Sequence, residues 1–322
     1  MRAFITGASG FIGGHLAVRL VRDGWQVRAL VHEKKIFEPE GLESVSGDIR
    51  DFALLKDALR GADVLFHLAS ALGASRIDKN EFFAVNAEGT RNVLRAAREA
   101  GASRIVHFSS AGVLGHVKNG GAADENFALD PQDTYDRSKL QGEKIALESA
   151  KEGLNIIIIR PGWVYGPGDR RTFKLIRAIA RRRFILIAKG QALQTPVYID
   201  DLVDGTLLCS EKGKTGQIYN LAGAEVLTVK QIAETIAAAA GTKIPRLAFP
   251  LRSAKAAAWS MGKAFSIFGK EAPLNPSRLA FFIHPKPLSI RKAAEELGYT
   301  PAWDFKKGMA ATMAWYRANG WL

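Results

Sequence analysis

Apolar runs of strand length alternate with longer amphipathic segments along the first half of the chain. The runs that we predict as strands end at Ile5, Val31, Gly47, Leu68 and Phe108. The fourth run is almost continuously apolar, as expected of a strand that is buried on both faces of a parallel sheet. Helical spacing of apolar residues follows the first run and recurs at 81–100 and 132–150. This alternation predicts an α/β fold, a doubly wound parallel sheet.

A glycine turn separates the first predicted strand from the first helix. Gly7, Gly10 and Gly13 follow a G-x-x-G-x-x-G spacing. Glycines let a ligand approach the backbone, and the first N–H groups of a helix point at phosphate oxygens. The spacing therefore predicts a site for a dinucleotide pyrophosphate, although turns that bind nothing also show it. The cofactor contacts that we expect here are Gly7, Ser9, Gly10, Phe11, Ile12 and Gly13.

The end of the second strand bears on the choice between NAD and NADP. An acidic residue there accepts hydrogen bonds from the ribose of NAD, whereas cationic side chains accommodate the 2′-phosphate of NADP. Val31 cannot accept such a bond, while His32 and Lys34 can meet a phosphate and Glu33 opposes it. We predict NADP in preference to NAD, which stays open.

Two further strand ends are candidates for contact with the same cofactor. Asp48 and Ile49 follow the third strand, where a carboxylate can accept a hydrogen bond from the adenine amino group. The alternative role of Asp48 is to cap the helix that begins near Asp51. Ala69 and Ser70 follow the fourth strand and are small enough for a cofactor to lie close.

The candidate chemistry begins at the fifth strand. Ser110 follows that strand, at the sheet edge where open α/β sheets bind their ligands. Tyr135 and Lys139 are four residues apart, so a helix over 132–150 places them on one face. We expect the ammonium of Lys139 to lower the pKa of the Tyr135 phenol, which makes Tyr135 a general acid or base. Ser110 would polarise a substrate carbonyl or alcohol.

Composition limits the other function classes. The chain has 322 residues, 47% of them hydrophobic, and carries a net charge of +13. A single cysteine, Cys209, and scattered histidines predict no disulfide framework and no metal site. Without a leader or a membrane-length apolar run, we expect a cytoplasmic protein. The charge suggests an anionic partner such as a phosphorylated cofactor, an anionic substrate or a membrane surface, and no motif favours nucleic acid.

Several segments together resemble the extended short-chain dehydrogenase/reductase family. They are TGASGFIGG, GDIRD, VNAEGTRNVLRAA, FSSAGVLG, YDRSKLQGE and RPGWVYGPGD, in that order, and the similarity runs from Met1 to roughly Asp204 and more loosely beyond. The resemblance implies a Rossmann domain over residues 1–165, to which a strand and helix near 195–225 return. It implies a small α+β substrate domain over 166–322, and a homodimer through helices near 80–100 and 132–150.

The same resemblance implies roles for individual residues. Ser110, Tyr135 and Lys139 would be catalytic, with Lys139 reaching the ribose, and Asn86 structural or part of a proton relay. The cofactor contacts would further include Ser109, Tyr135, Lys139, Pro161 and Gly162.

Departures from the family pattern bear on the reaction. Related dehydratases carry Asp-Glu where this chain has Ala111-Gly112, and epimerases carry asparagine and arginine where it has Trp163 and Gln194. What remains resembles the 3β-hydroxysteroid dehydrogenase and dihydroflavonol-reductase branch. We predict a ketone or secondary-alcohol substrate of apolar or amphipathic character. The substrate contacts that we expect are Ser110, Gly112, Trp163 and Val164. A nucleotide-sugar epimerase with tightly bound NAD and a non-catalytic dinucleotide sensor stay open.

The C-terminal third holds two amphipathic segments. Residues 171–183 predict a helix with a dense basic face, which is either a binding surface or only solvated. Residues 247–269 mix aromatic and basic side chains, and their role is open between a pocket lid, a dimer or core contact, and peripheral membrane contact. Asp200 and Asp201 precede a predicted helix, where we expect caps and interdomain hydrogen bonds.

Overall fold

The computed structural model describes residues 1–32, 40–72, 78–117, 121–245, 248–267 and 276–322. The strands are Arg2–Thr6 (β1), Gln26–Val31 (β2), Leu42–Ser46 (β3), Val64–His67 (β4), Arg104–Phe108 (β5), Ile156–Pro161 (β6), Trp163–Tyr165 (β7), Leu186–Ile187 (β8), Leu193–Gln194 (β9), Pro196–Tyr198 (β10), Ile218–Leu221 (β11), Leu227–Thr228 (β12) and Ala248–Phe249 (β13). The α-helices are Phe11–Arg22 (α1), Phe52–Ala58 (α2), Lys79–Phe83 (α3), Thr90–Ala100 (α4), Thr134–Lys151 (α5), Arg170–Ala180 (α6), Ile199–Lys212 (α7), Val229–Ala239 (α8), Leu251–Ile267 (α9), Pro276–Ile283 (α10), Arg291–Leu297 (α11) and Phe305–Ala318 (α12).

Seven strands form one parallel sheet in the order β11-β6-β5-β4-β1-β2-β3. The strand order reverses at β1, which pairs with β2 on one side and with β4 on the other. A reversal of this kind leaves a crevice beyond the carboxyl ends of the strands, where open α/β sheets bind ligands. The predicted doubly wound, Rossmann-type sheet is confirmed.

Alternate residues of each central strand face opposite helical layers. Ile5 packs with α1 and α7 in one apolar cluster, while Phe4 packs with α2 and α4 in the other. The four isoleucines of β6 divide between the two clusters in the same way. Burial on both faces explains why these strands have nearly continuous apolar sequences.

The glycine turn after β1 depends on two of its glycines for steric reasons. Gly7 has φ of +80°, and a Cβ there would lie 2.7 Å from the backbone nitrogen of Ala69. A Cβ on Gly13 would clash with the carbonyl group of Gly7. A larger residue at Gly7 would push the turn away from the end of β4, and a larger residue at Gly13 would push α1 away from the turn. The geometry therefore requires glycine at both positions.

The helix predicted over 81–100 is composite. A π-helical segment, Ala84–Gly89, separates α3 from α4 and carries the buried side chain of Asn86. Such segments shift the phase of a helix and are often found at functional sites. The helix that carries Tyr135 and Lys139, α5, begins after Asp133, whose side chain accepts a hydrogen bond from the Asp136 N–H. It agrees with the predicted 132–150 within two residues.

The chain leaves the sheet after β6 and returns to it at β11, which pairs with β6 in parallel. Outside the seven-stranded sheet, the described part of the chain forms three two-stranded pairs, β10-β7, β12-β9 and β13-β8, and the helices α6, α8, α9, α10 and α12. Asp201 accepts hydrogen bonds from the N–H groups of Ala302 and Trp303, as expected of a residue that joins the two parts. The predicted capping role of Asp200 and Asp201 was wrong. The N-cap of α7 is Tyr198, and among the described residues no side chain caps this helix.

Residues 247–269 divide into the short strand β13, which pairs with β8, and the helix α9. Phe268 lies outside the described residues. No helix in the described part of the chain is both long enough and apolar enough to cross a bilayer.

Candidate active site

The crevice beside β1 has the features that a dinucleotide pyrophosphate requires. Ser9 and Gly10 are exposed at the start of α1, and Phe11 and Ile12 are half-buried beside them. Among the described residues no side chain caps α1, and its first turn contains no acidic residue. The first N–H groups of α1 therefore have no side-chain acceptor and can bind an anion. These residues fit the cofactor that the sequence predicted.

Two of the predicted adenosine contacts, His32 and Asp48, lie in one ionic cluster with Arg50. Nε2 of His32 lies 3.2 Å from Oδ2 of Asp48, and Nη2 of Arg50 lies 2.5 Å from the same oxygen. Hydrogen bonds from Arg50 hold the pKa of Asp48 below its usual value. Asp51 caps α2, which excludes that role for Asp48. Ile49 is buried, and Lys34 lies outside the described residues.

Asn86 joins the loop after β4 to the helix that carries Tyr135. Its Oδ1 accepts hydrogen bonds from the hydroxyl of Ser70 (3.0 Å) and from the N–H of Ala71 (2.8 Å). Its Nδ2 donates to the hydroxyl of Ser138 at 2.9 Å. Because Asn86 is fully buried in the π-helical segment, this network fixes Ser70 relative to α5.

Tyr135 lies at the centre of the predicted catalytic group. The hydroxyl groups of Ser110 and Ser70 both act on the phenol of Tyr135, and each lowers its pKa. Burial has the larger effect, because it disfavours the phenolate, and the net pKa of Tyr135 is raised. The expected lowering of this pKa was therefore wrong in direction. The positive charge that acts on Tyr135 belongs to Arg171, which sequence reasoning did not connect with it.

Lys139 is buried one helical turn beyond Tyr135. Its Nζ donates a hydrogen bond of 2.5 Å to the carbonyl oxygen of Phe108, the last residue of β5. Burial lowers the pKa of Lys139 to about 8, and the charge of Glu143 opposes that shift. Glu143 itself forms a buried salt bridge with Arg160, with an Oε1–Nη2 distance of 2.6 Å. The ammonium of Lys139 is thus fixed between β5 and α5.

A buried carboxylate lies next to the tyrosine. Asp136 is 6% exposed and packs against Gly112, in the 3₁₀ turn that follows Ser110. Its Oδ2 lies 3.8 Å from Nζ of Lys286, in the segment after α10. Burial raises the pKa of Asp136 to about 6. Gly112, predicted to touch substrate, thereby makes room for a carboxylate.

Aromatic side chains cluster around Trp163 in β7, the strand that follows β6. The ring of Trp163 lies 5.0 Å from that of Phe281 and 6.1 Å from that of Phe305, measured between centroids. Gln194 is buried, and its Nε2 donates to the carbonyl oxygens of Phe281 and His284, both at 3.1 Å. The side chain of Gln194 is therefore engaged in holding the end of α10.

The remaining predicted contacts lie at the same edge of the sheet. Ser109 follows β5 and is buried, and its hydroxyl has no hydrogen-bond partner among the described residues. Pro161 ends β6, and a Cβ on Gly162 would lie 2.8 Å from the carbonyl oxygen of Thr195. Val164 is half-buried in β7, and the N–H of Ala69 donates to the hydroxyl of Thr6.

Sequence reasoning missed four contributors: Asp136, Lys286, Arg171 and Arg160. Each acts through burial or through a partner that is distant in sequence. Asp136 alone carries a local signal, because it adjoins Tyr135 in the YDRSK segment. Within the described ranges no three His, Cys, Asp or Glu side chains are grouped closely enough to hold a metal ion.

Comparison with known proteins relates the whole chain to nicotinamide enzymes. The model of a family described as the NAD dependent epimerase/dehydratase family matches residues 3–222. A 4-hydroxy-2-methyl-3-oxo-4-farnesyl-3,4-dihydroquinoline-1-oxide ketoreductase from Stigmatella aurantiaca is 30% identical over 319 residues, which are 97% of this chain and 95% of the relative. A 3 beta-hydroxysteroid dehydrogenase/Delta 5-->4-isomerase from Mycobacterium tuberculosis is 28% identical, covering 98% of this chain and 90% of the relative.

A solved structure is similar over the same length. It is a double mutant of DesIV, a dTDP-glucose 4,6-dehydratase from Streptomyces venezuelae, with NAD and DAU bound. The TM-score is 0.80 at 27% identity, covering 100% of this chain and 98% of that one.

Proposed function

Because the chain belongs to the NAD-dependent epimerase/dehydratase family, we propose that it reduces a ketone, or oxidises the corresponding secondary alcohol, on an apolar or amphipathic substrate. The family and its relatives are NAD-dependent enzymes of the extended short-chain dehydrogenase/reductase type. The proposal concerns which reaction of that family this chain carries out.

The observation that supports the proposal is that the Ser110 hydroxyl, beyond the carboxyl end of β5, acts on the phenol of Tyr135 and favours its phenolate. A carbonyl oxygen between these hydroxyl groups would accept two hydrogen bonds, which polarises the C=O bond. Tyr135 would then deliver a proton to that oxygen as general acid. A nicotinamide cofactor, when bound, supplies the hydride.

Lys139, Ser70 and Asn86 would support that proton transfer. Lys139 would donate to a ribose hydroxyl of the cofactor, while the positive charge of Arg171 favours the phenolate that remains after the transfer. Ser70 acts on the phenol of Tyr135 and donates a hydrogen bond to Asn86, so these two side chains would begin a path by which Tyr135 is reprotonated.

The aromatic cluster of Trp163 and Phe281 supports an apolar substrate. Their rings, 5.0 Å apart, offer apolar area and no charge. Gln194, which stands where related epimerases carry an arginine, is engaged by two backbone carbonyls and is not available to a diphosphate. Two similar proteins, the farnesyl-quinoline-oxide ketoreductase and the 3β-hydroxysteroid dehydrogenase, are named for large apolar substrates, which supports this choice.

For the coenzyme, the proposal is NADP in preference to NAD. His32 and Arg50 surround Asp48, and the four hydrogen bonds that Arg50 donates to that carboxylate reduce its repulsion toward a 2′-phosphate. The NAD in the similar DesIV structure supports binding of the dinucleotide itself, whichever form is preferred.

Arg171 favours a second candidate, a nucleotide-sugar epimerase that retains NAD. Its charge reaches Tyr135 from the start of α6, where a guanidinium could hold a diphosphate. Such an enzyme would carry NAD through purification and would interconvert a UDP- or dTDP-sugar without net redox change. The family resemblance also supports a homodimer through α4 and α5, which light scattering after gel filtration would measure.

The test is NADPH and NADH oxidation with a panel of ketones, from small polar to steroid-like, by the wild-type protein and by Tyr135→Phe. We expect turnover of apolar ketones and a loss of roughly 10²–10⁴-fold in rate for Tyr135→Phe with cofactor binding retained. Tyr219→Phe is the control, because it removes the same atom from a hydroxyl that donates to Glu296 on the far edge of the sheet. Full activity of Tyr135→Phe would refute the mechanism, and cofactor binding without any turnover would favour a sensor.

A further inference from the structure

The excess positive charge of the chain is confined to two stretches that contain no acidic residue. They are residues 170–199, between Asp169 and Asp200, and residues 235–270, between Glu234 and Glu271. Together they hold 14 Lys and Arg residues, so the rest of the chain has 31 basic and 32 acidic residues and is nearly neutral. The net charge of +13 is therefore a property of one part of the molecule and not of its whole surface.

These two acid-free stretches pack against each other. β8 of the first pairs with β13 of the second, and Nε of Arg182 donates to the hydroxyl of Thr242 at 3.2 Å. Ile187 of β8 lies in one apolar cluster with Ala254 and Ala258 of α9. Sequence segments separated by dozens of residues thus form one basic region, which we call the basic face.

The outer side of α9 is the most regular part of the basic face. Arg252, Lys255, Trp259 and Lys263 follow i, i+3, i+7 and i+11 spacing, so they share one side of the helix, opposite the buried Ala254 and Ala258. Trp259 is 61% exposed, and the ammonium of Lys263 lies 4.1 Å from its ring centroid. Arg252 and Lys255 form no ion pair with any described residue.

Apolar side chains project from the same two stretches. Ile185 is 58% exposed and Phe249 is 39% exposed, in addition to Trp259. Exposed apolar groups among cations are costly in water but are favourable where a headgroup layer meets acyl chains. Trp is the side chain most typical of that interface, and Lys and Arg there attract anionic lipids.

We propose that the basic face binds the surface of an anionic membrane, with α9 lying in the headgroup layer. Membrane is favoured over nucleic acid because the acid-free stretches that carry the cations also expose Ile185, Phe249 and Trp259. α9 packs on α10, whose Phe281 contacts Trp163 in the candidate site, so a docked molecule would hold that site near the lipid. This last consequence rests on the proposed function, whereas membrane binding itself does not.

The experiment is co-sedimentation of the full-length protein with vesicles of phosphatidylcholine plus phosphatidylglycerol, compared with phosphatidylcholine alone. We expect binding to the anionic vesicles that weakens as salt is added. The triple variant Arg252→Glu, Lys255→Glu, Lys263→Glu should bind them more than about tenfold more weakly. In wild type, brominated acyl chains should quench part of the Trp emission, and Trp259→Phe should remove that part.

A charge-matched control separates a docking site from general attraction. Arg22, Arg60 and Arg291 are exposed outside the basic face, and their triple replacement by Glu changes the net charge equally. Equal weakening by both triple variants, or no binding to anionic vesicles, would overturn the proposal, as would tighter binding to an RNA or duplex DNA of the same charge. Because no readout depends on turnover, a failed ketone assay would leave the vesicle result unaffected. Circular dichroism checks that each variant is folded.

Discussion

The carboxylate of Asp136 occupies the space that any side chain at Gly112 would need, since a Cβ built on that glycine overlaps Oδ1 of Asp136. Gly112 follows Ser110 by two residues, and its N–H donates to the Ser110 hydroxyl at 3.0 Å. Asp136 adjoins Tyr135 on α5. Because Gly112 has no side chain, the turn that carries Ser110 can pack against the start of α5, which carries Tyr135. The buried carboxyl group of Asp136 fills the space between the two segments.

Gly112→Ala should lower both the free energy of unfolding and the rate of the catalysed reaction. The new methyl group must displace Asp136 and with it the start of α5, which we expect to cost about 1–3 kcal/mol of unfolding free energy. A displacement of Tyr135 by about 1 Å would reduce kcat by roughly a hundredfold. Thermal unfolding and single-turnover rates measure the two effects. Gly121→Ala is the matched control, because a Cβ there meets no atom within 4 Å; equal behaviour of the two variants would contradict the packing argument.

Asp136 should make stability fall as pH rises through the weakly acidic range. Its pKa is about 6 in the folded protein against 3.8 for the free side chain, so between these values the folded state holds the proton that the unfolded state has lost. Stability is then fully present below about pH 4 and is lost as pH rises to about 6. Against Asp136→Asn, wild type should lose about 2–3 kcal/mol across that window. Urea unfolding at several pH values measures this difference, and parallel curves would refute it.

The loss of unfolding free energy at the buried pair of Glu143 and Arg160 should depend on whether one or both charges are removed. Their side chains are 1% and 2% exposed, so Glu143→Gln leaves a buried guanidinium without its counter-charge. We expect a loss of about 3–5 kcal/mol, whereas the double variant Glu143→Leu, Arg160→Met should recover most of it. The exposed pair of Arg98 and Glu152 is the comparison, and its Glu152→Gln variant should cost less than about 1 kcal/mol. Chemical denaturation measures all four proteins, and similar losses for both single variants would contradict this.

His32→Ala should change coenzyme preference more than it changes coenzyme affinity in general. Removing the imidazole takes away a donor that could meet a 2′-phosphate and leaves Arg50 as the cationic partner of Asp48. We expect the Kd for NADPH to rise by roughly tenfold and that for NADH by less than about twofold. Calorimetric titration measures both constants on one preparation. A larger effect on NADH would place the adenosine ribose, not a phosphate, against His32.

Much of the sheet and of the reactive group follows from local sequence. The strands β1, β2, β4 and β5 are mostly apolar and end where small or polar residues begin, so the predicted ends of these strands agree with the observed ones within about one residue. Tyr135 and Lys139 need only the helical repeat to fall on one helix, and the glycine turn needs only its own backbone geometry. Interactions of this kind depend on neighbours in the chain, which a sequence displays directly.

The parts that could not be predicted depend on contacts between distant residues. Nothing near Gln194 indicates that its amide would bind the carbonyls of Phe281 and His284, and nothing near Gly112 indicates Asp136. The pKa of Tyr135 is raised by burial, which the Tyr-x-x-x-Lys spacing does not display, and is not lowered by Lys139 as that spacing predicts. The acid-free stretches are visible in the sequence, but only the pairing of β8 with β13 shows that they form one face.

The return of the chain to the sheet at β11 has a consequence for synthesis and truncation. Until Ile218–Leu221 has emerged from the ribosome, β6 is an edge strand, and four consecutive isoleucines, Ile156–Ile159, carry its unpaired N–H and C=O groups. An exposed edge of that composition is a template for pairing with other chains. A fragment that ends before Ile218 should therefore aggregate through β6, so this strand makes nascent or shortened chains dependent on chaperones until β11 covers it.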